Sequence, residues 1–536
     1  MPDRPTQDDT PLTAAPVPAT KRPARRGAQR WTAARRAVQG FALLAFLVLF
    51  IWSRRGGWPP WLVNAPMRLD PLAMLSHLLA SRAILAGSAL ALSVVALSLL
   101  LGRVWCGWLC PLGTLLDWLP LHRARPQPPQ VSERLRAAKY GLLLTALAAA
   151  ALTNLTLMVL DPLTILFRTL STSVWPAVDQ LVTALETALY RVALLQPAVG
   201  AFDQLVRPVV LPLDPVHYRY AVPYGALLMG LIALNLVASR FWCRYLCPLG
   251  ALLGLVAKVG LVRRKVGSRC TECGACARVC PTGTIRTDRD YASDPGECTV
   301  CTTCLAACPV DAISFPAQTP SLDWFAYDPD RRHVLASLGA AIVGVGLFRS
   351  SLIAARKHTR LIRPPGAREN NLLSKCIRCG ECVRACPTSA IQPALTEAGV
   401  EGLWTPVLVP RAGYCDYSCN ACGQICPVQA IPPLSLDEKR EQVIGKAYID
   451  ENRCIAWADL EDCIVCEEMC PVPDKAIVLQ EAQVRGIDGE SVTVQQPYVV
   501  RERCIGCGIC EYKCPVSGQA AIRVYAPADE CATSPF

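Results

Sequence analysis

The chain has 536 residues, 52% of them hydrophobic and only 18% charged, with a positive mean hydropathy of +0.29. This composition excludes a disordered chain and an ordinary soluble enzyme, and the length calls for several domains, some of them in a membrane. The net charge of +11 hides a split, 38 Lys+Arg against 20 Asp+Glu in residues 1–360 but 16 against 23 in residues 361–536, which argues against a basic nucleic-acid surface and for two compartments.

In chain order, residues 1–30 read as a disordered, basic cytoplasmic tail. An apolar run from Ala37 to Trp52 is a first span, short unless its flanking arginines snorkel. Ala83–Leu101, Tyr140–Leu160 and Ala221–Ala238 are three clearer spans, and Val334–Phe348 is a shorter fifth. Eight Lys/Arg precede the first span, six lie in residues 102–139 and seven in 240–269, against four in 161–219 and four in 53–82. The positive-inside rule therefore puts the tail and the segments after spans two and four in the cytoplasm, with residues 53–82 and 161–220 outside. Val174–Leu195, apolar with interspersed charges, reads as an amphipathic helix on the outer surface.

An internal repeat marks this half: Trp105-Cys106-Gly107-Trp108-Leu109-Cys110-Pro111-Leu112-Gly113 after span two and Trp242-Cys243-Arg244-Tyr245-Leu246-Cys247-Pro248-Leu249-Gly250 after span four. Cysteines four apart share one helical face, so either pair suits metal ligation or thiol–disulfide exchange. A weaker repeat, Asp70-Pro71-Leu72 and Asp161-Pro162-Leu163, is fully explained by an Asp N-cap with Pro at the first helical position.

Twenty-nine cysteines would suggest disulfides in a small secreted domain, but a chain this long does not need them as staples. Cys270, Cys273, Cys276 and Cys280-Pro281, then Cys298, Cys301, Cys304 and Cys308-Pro309, follow the bacterial ferredoxin spacing. In that pattern three close thiolates hold one [4Fe–4S] cube and the fourth reaches across, so Cys308 joins the first trio and Cys280 the second. Zinc seldom uses this spacing. Four more sets follow: Cys376, Cys379, Cys382, Cys386; Cys415, Cys419, Cys422, Cys426; Cys454, Cys463, Cys466, Cys470; and Cys504, Cys507, Cys510, Cys514. Crossed ligation implies pairs among them, and we expect the nested order, first with fourth and second with third, over first with second. Cys531 is assigned no role.

Arg331-Arg332 ahead of the fifth apolar run look like a twin-arginine export signal retained as an anchor helix, which would carry residues 361–536 outside. There is no Cys-x-x-Cys-His for covalent haem, no dinucleotide or P-loop fingerprint, and only five histidines. One-electron transfer between iron–sulfur clusters remains.

On these motifs, residues 31–315 resemble the NapH-type membrane ferredoxins, and residues 325–526 resemble the NapG/MauM-type periplasmic ferredoxins, fused in one chain. The resemblance implies six [4Fe–4S] clusters and a quinol dehydrogenase component that draws on the membrane quinone pool and feeds an extracytoplasmic reductase or cytochrome. It implies no nucleic-acid partner. The expected fold is a helical bundle of four spans plus an anchor helix, with two-cluster α+β ferredoxin modules on both sides of the membrane. Its parts are a tail (1–30), a membrane domain (31–265), a cytoplasmic two-cluster ferredoxin (266–322), an anchor (323–360) and an extracytoplasmic four-cluster ferredoxin (361–530). Because ionisable groups at a membrane boundary are costly without a purpose, Asp70, His77, Asp161, Glu186 and His217 are the candidates for the quinol site, and Cys106, Cys110, Cys243 and Cys247 are possible further metal ligands. Two other readings are open: a relay from a cytoplasmic ferredoxin to an outside acceptor, and an accessory protein for maturation or redox sensing.

Overall fold

The computed structural model describes residues 26–55, 58–119, 133–212, 216–318, 331–349, 361–485 and 491–526. Its first helix, α1 (Arg26–Arg55), already begins inside the stretch expected to be a tail; residues 1–25 lie outside the described residues. At 30 residues α1 is about 45 Å long. It is the one described helix long and apolar enough to cross a membrane, over Gln29–Arg54.

The other expected spans are shorter helices. They are α3 (Ala89–Leu101), α5 (Glu133–Ala151) and α8 (Ala221–Ala233), and the same domain also holds α2 (Pro71–Ser81), α4 (Pro111–Trp118), α6 (Pro162–Thr169), α7 (Trp175–Tyr190) and α9 (Pro248–Lys258). Each break has a local cause. The Tyr140–Leu160 run stops at Thr153, whose φ is +62°, and at Asn154, whose side chain accepts from Thr156 N. The Ala221–Ala238 run tightens into a 3₁₀ turn at Leu234–Leu236. Pro71, Pro111, Pro162 and Pro248 each restart a helix at its first turn, where a missing N–H is harmless. A bundle of four full spans is therefore not what the helix lengths give. The fifth run is the helix α10 (Arg331–Arg349), which packs along α5.

The amphipathic helix expected at Val174–Leu195 is α7, but its charges are not free. Arg207 pairs with Asp179 at 3.2 Å and with Glu186, so the acids face inward while Leu181 and Leu185 are exposed.

Two cysteine-rich modules sit at opposite ends of α1. Near its start, Gln39 donates to Gly107 O (3.0 Å) and Asp117 Oδ2 (2.9 Å), and α1 also meets the helix Thr303–Ala307 of the first module. Near its end, Arg54 donates to Pro387 O (3.0 Å), and the Arg384 guanidinium lies 4.5 Å from the Phe50 ring, both partners in the second module. The first module is closed by β1 (Lys265–Val266) pairing antiparallel with β2 (Ile313–Ser314). In the second, β3 (Ile391–Pro393) pairs with β4 (Pro406–Leu408). There β5 (Lys446–Ile449) pairs with β8 (Ile522–Tyr525), and β6 (Ile477–Arg485) forms a long hairpin with β7 (Ser491–Val499).

Candidate metal centres and a buried carboxyl pair

In the second module, four cavities are each lined by four cysteines. Cys376, Cys379 and Cys382 share theirs with Cys426, and Cys415, Cys419 and Cys422 share theirs with Cys386. Cys454, Cys463 and Cys466 are joined by Cys514, and Cys504, Cys507 and Cys510 by Cys470. The crossing therefore runs first with second and third with fourth, which corrects the nested order. The strands explain it: β5 precedes the third set and β8 follows the fourth, so their pairing closes those two sets into one unit. The eight-residue gap after Cys454 is taken up by a wide turn, Ile455–Asp459, and by Leu460 at φ +58°. The two units meet where Cys415 N donates to Cys507 O at 2.8 Å.

In the first module the second trio interacts electrostatically with Cys280, as crossed ligation requires. Four of the six short helices behind a Cys-x-x-Cys follow a left-handed residue, Gly274, Gly380, Gly508 or, at φ +60°, Thr302; the two irregular sets use Asn420 and Ile464 at negative φ instead. Burial, then neighbouring thiolates, pushes the Cys466 thiol up to about 12, and burial pushes Cys415 equally far. Such thiols ionise only against a metal's charge, which makes loading and folding one event. Four convergent thiols around a small cavity fit a cube, and these residues would hold it and give the site one-electron chemistry.

Between the helical domain and the second module lies a different kind of site. Asp70 caps α2, Oδ1 accepting from Leu72 N (2.8 Å) and Ala73 N (3.2 Å), and Asp161 caps α6, Oδ2 accepting from Thr164 N (2.8 Å). Capping was the expected role, but the two caps also meet. Both side chains are fully buried and within hydrogen-bonding reach of each other. Asp70 Oδ2 and Asp161 Oδ1 receive nothing from any other described residue. Burial raises both carboxyls above the usual range, and the Asp161 charge raises Asp70 further. His77, also buried, follows two turns along α2 and lies against Lys375 and Val428 of the second module.

Sequence reasoning missed the groups around this pair. The Arg168 guanidinium is buried, its three nitrogens have no hydrogen-bond partner among the described residues, and it stacks 4.0 Å over Trp404. Glu381, beside Cys382, is buried with both oxygens unpartnered. Arg168 packs against Gly380 and feels the charge of Cys376 and Cys379, so these orphans adjoin the first cysteine set. A cleft lined by Thr153, Asn154, Leu373, Arg378 and Glu401 opens beside them, and Arg378 Nη1 donates to Cys376 O at 3.0 Å. The structure does not bring Glu186 or His217 here: Glu186 pairs with Arg207, and exposed His217 offers only its carbonyl to Gln392 Nε2 (2.9 Å).

The repeat cysteines occupy the opposite end. Each pair straddles a helix break rather than sharing a helical face: Cys106 and Cys243 lie in single turns, and Cys110 and Cys247 are N-caps with extended backbone.

Segments 83–128 and 221–269 match a family described as a 4Fe-4S binding domain, as do residues 266–286 and 497–517 with another of that description; residues 290–387 and 375–430 match two 4Fe-4S dicluster domain families. Among curated relatives, the methylamine utilization ferredoxin-type protein MauM of Methylorubrum extorquens is 36% identical over 207 residues, 37% of this chain and 89% of that protein. The ferredoxin-type protein NapG of Escherichia coli is 37% identical over 148 residues, 26% of this chain and 61% of its own length. The methylamine utilization ferredoxin-type protein MauN of Paracoccus denitrificans is 27% identical over 269 residues, 48% of this chain and 79% of that protein. No solved structure matches. With its 4Fe-4S domains and its cysteine-lined cavities, the protein is an iron–sulfur electron-transfer protein, and the chain belongs to the MauM family of ferredoxin-type proteins.

Proposed function

We propose that the chain is a membrane-bound quinol dehydrogenase component, joining a NapH-like membrane part to its MauM-like part, and that it passes electrons to an extracytoplasmic reductase or cytochrome. The observation that carries this reading is the buried carboxyl pair Asp70–Asp161, with Arg168, seven residues along α6 from Asp161, adjoining the first cysteine set of the second module. Quinol oxidation releases two protons with its two electrons, so the site needs proton acceptors next to an electron acceptor. A carboxyl pair raised by burial can take up a proton, while burial and then Lys375 hold the His77 imidazole down to about 4 and so neutral. Arg378 lines the cleft and would orient a quinol oxygen there, and Arg168 is a buried cation at the same cysteine set.

The 24 cysteines expected from their spacing would hold six [4Fe–4S] clusters, two in the first module and four in the second. The four cavities of the second module adjoin in one line. It starts at the Cys376 set against the helical domain, passes the Cys415 and Cys504 sets, and ends at the Cys454 set.

A multi-pass membrane position is supported by the outward-facing apolar side chains of α3, α7 and α8, such as Leu92, Leu181 and Met229, around an interior that holds Asp70, Asp161 and Arg168. The placement of the modules at opposite ends of α1 supports a cytoplasmic first module and an extracytoplasmic second one, delivered through Arg331–Arg332. The test is stopped-flow reduction of the purified chain by menaquinol and ubiquinol analogues. Reduction of the second module's clusters is expected; a protein that dithionite reduces but neither quinol does would overturn the reading.

A further inference from the structure

The two Trp-Cys-x-x-x-Cys-Pro-Leu-Gly elements are distant in sequence but meet in one place. Cys110 interacts electrostatically with Cys106 and Cys243, and Cys247 with Cys243, Cys106 and Cys110. Cys106, Cys110 and Cys247 are buried in one core cluster, with Cys243 packed against it.

The match between the halves extends three residues upstream, to Arg103 and Arg240, and these two arginines are exchanged between the repeats. Arg103 lies 4.0 Å from Cys106 Sγ and so close to Gly250 of the other repeat that a Cβ there would stand 2.8 Å from its Nη2. Arg240 donates to Cys106 O (3.0 Å) and Gly113 O (3.4 Å) of the first repeat. Both are fully buried.

Neutral thiols do not call for that charge. Asp117 is shared by Arg35 and Arg240, and Glu297 by Arg103 and Lys139. Of these cations, Arg103 feels the charge of Cys106 and Cys247, one from each repeat, and Arg240 that of Cys243, so both face the thiols as well as an acid. An oxidised cube with four thiolates carries a net charge of about −2. The symmetry-related Trp105 and Trp242 are also buried, and neither indole N–H has an acceptor among the described residues. Cluster sulfur is such an acceptor. Single-ion coordination fits less well, since no group of three or more His, Cys, Asp or Glu side chains among the described residues is drawn close enough for one metal ion.

We propose that Cys106, Cys110, Cys243 and Cys247 form one ligand set, two from each repeat, for a further iron–sulfur cube between the two repeats of the helical domain. The family matches give 4Fe-4S binding to each segment separately; the shared site is what the exchanged arginines add. It rests on the iron–sulfur reading and not on quinol as the substrate. The site adjoins the first module: Gly107 approaches Thr299 so tightly that a Cβ would lie 2.3 Å from its carbonyl oxygen, and Trp108 Nε1 donates to Val300 O at 3.0 Å. Arg240 also feels the charge of Cys301. A cube here would neighbour the one expected on Cys298, Cys301, Cys304 and Cys280.

The experiment is anaerobic native mass spectrometry of the full chain in detergent, with zinc analysis and thiol alkylation. We expect about 28 irons rather than 24 per chain, no zinc, and protection of all four cysteines from alkylation. Cys106→Ser and Cys243→Ser should each lose about four irons and one paramagnetic centre while the other six remain. About 24 irons in the wild type with these four thiols alkylated, or one zinc in their place, overturns the proposal even where the serine variants fail to fold. A chain with about 28 irons that ignores quinol sinks the quinol reading and leaves this site standing.

Discussion

The helical domain meets a ferredoxin module at each end, and the two junctions are built on opposite electrostatic plans. At the first module, buried charges are partnered: Glu297 takes Lys139 at 2.5 Å, Arg103 at 3.4 Å and the Tyr140 hydroxyl at 3.1 Å. At the second module they are left open. Among the described residues the Arg168 guanidinium stacks on Trp404 without a hydrogen-bond partner, Glu381 has no hydrogen bond, and Asp70 and Asp161 face each other. An unpaired buried polar group costs about 1–3 kcal/mol or more when charged, so a fold keeps several together only where something else uses them. Where Glu297 holds its cations the first contact reads as a joint; where buried groups stay open, beside the repeat cysteines and at the second module, the structure reads as a site.

The sharpest way to break this comparison is to open the closed junction. Glu297→Gln leaves Lys139 and Arg103 facing an uncharged partner in a dry interface. We expect a loss of about 3–5 kcal/mol, the range for a buried pair stripped of one member, read by denaturant unfolding of the solubilised chain. A loss below about 1 kcal/mol would mean that the ion pairs are incidental to the joint.

At the open junction the expected effect is on rate. Asn is as good an N-cap as Asp, so Asp161→Asn should keep α6 and the fold while abolishing the carboxyl pair. We expect quinol-driven reduction to slow by about 100-fold, the low end for loss of a positioned acid–base group, with dithionite reduction unchanged. Arg168→Met is a milder probe. It removes an uncompensated charge along with a cation–π contact of about 2 kcal/mol, so net stability should change by no more than about 2 kcal/mol while the apparent KM for quinol rises.

How much of this was legible in the sequence differs between the two ends. Cysteine spacing gave the ferredoxin sets directly, because each set is a local motif whose ligands are a few residues apart. The crossing order in the second module was not legible, since it depends on β5 reaching β8 across more than 70 residues. The Asp-Pro-Leu and Trp-Cys elements were visible as repeats, but repetition does not say that Asp70 meets Asp161 or that the cysteine pairs converge. One signal was within reach: an arginine three residues ahead of each first repeat cysteine, Arg103 and Arg240. Arg168 and Glu381 carried none, because a buried unpaired charge is a property of packing. Hydropathy overstated the spans for a related reason: it registers an apolar run but not the breaks at Thr153 or at Leu234–Leu236.

The smallest expected effect concerns pH and the closed junction. Burial alone would raise the Asp117 carboxyl, but Arg240 at 2.6 Å and Arg35 at 3.6 Å outweigh it and hold the group below the usual carboxylate range; Gln39 adds a hydrogen bond. A carboxyl depressed in the folded state contributes stability that is fully present above its unfolded value, about 3.9, and lost as pH falls through the lower folded value. At neutral pH Asp117→Asn should therefore cost about 1.5 kcal/mol, the lower end for a hydrogen bond to a charged group. The difference between wild type and variant should stay flat from pH 8 to about 5, then shrink below about 4 as the wild-type carboxyl takes up a proton and comes to resemble the amide. Paired thermal unfolding of the two proteins at each pH measures this without reference to what acid does to the clusters, since both chains share that loss. A difference that grows on acidification would reverse the sign and show that Asp117 is held neutral, which would remove one of the two anions from the charge balance around the repeat cysteines.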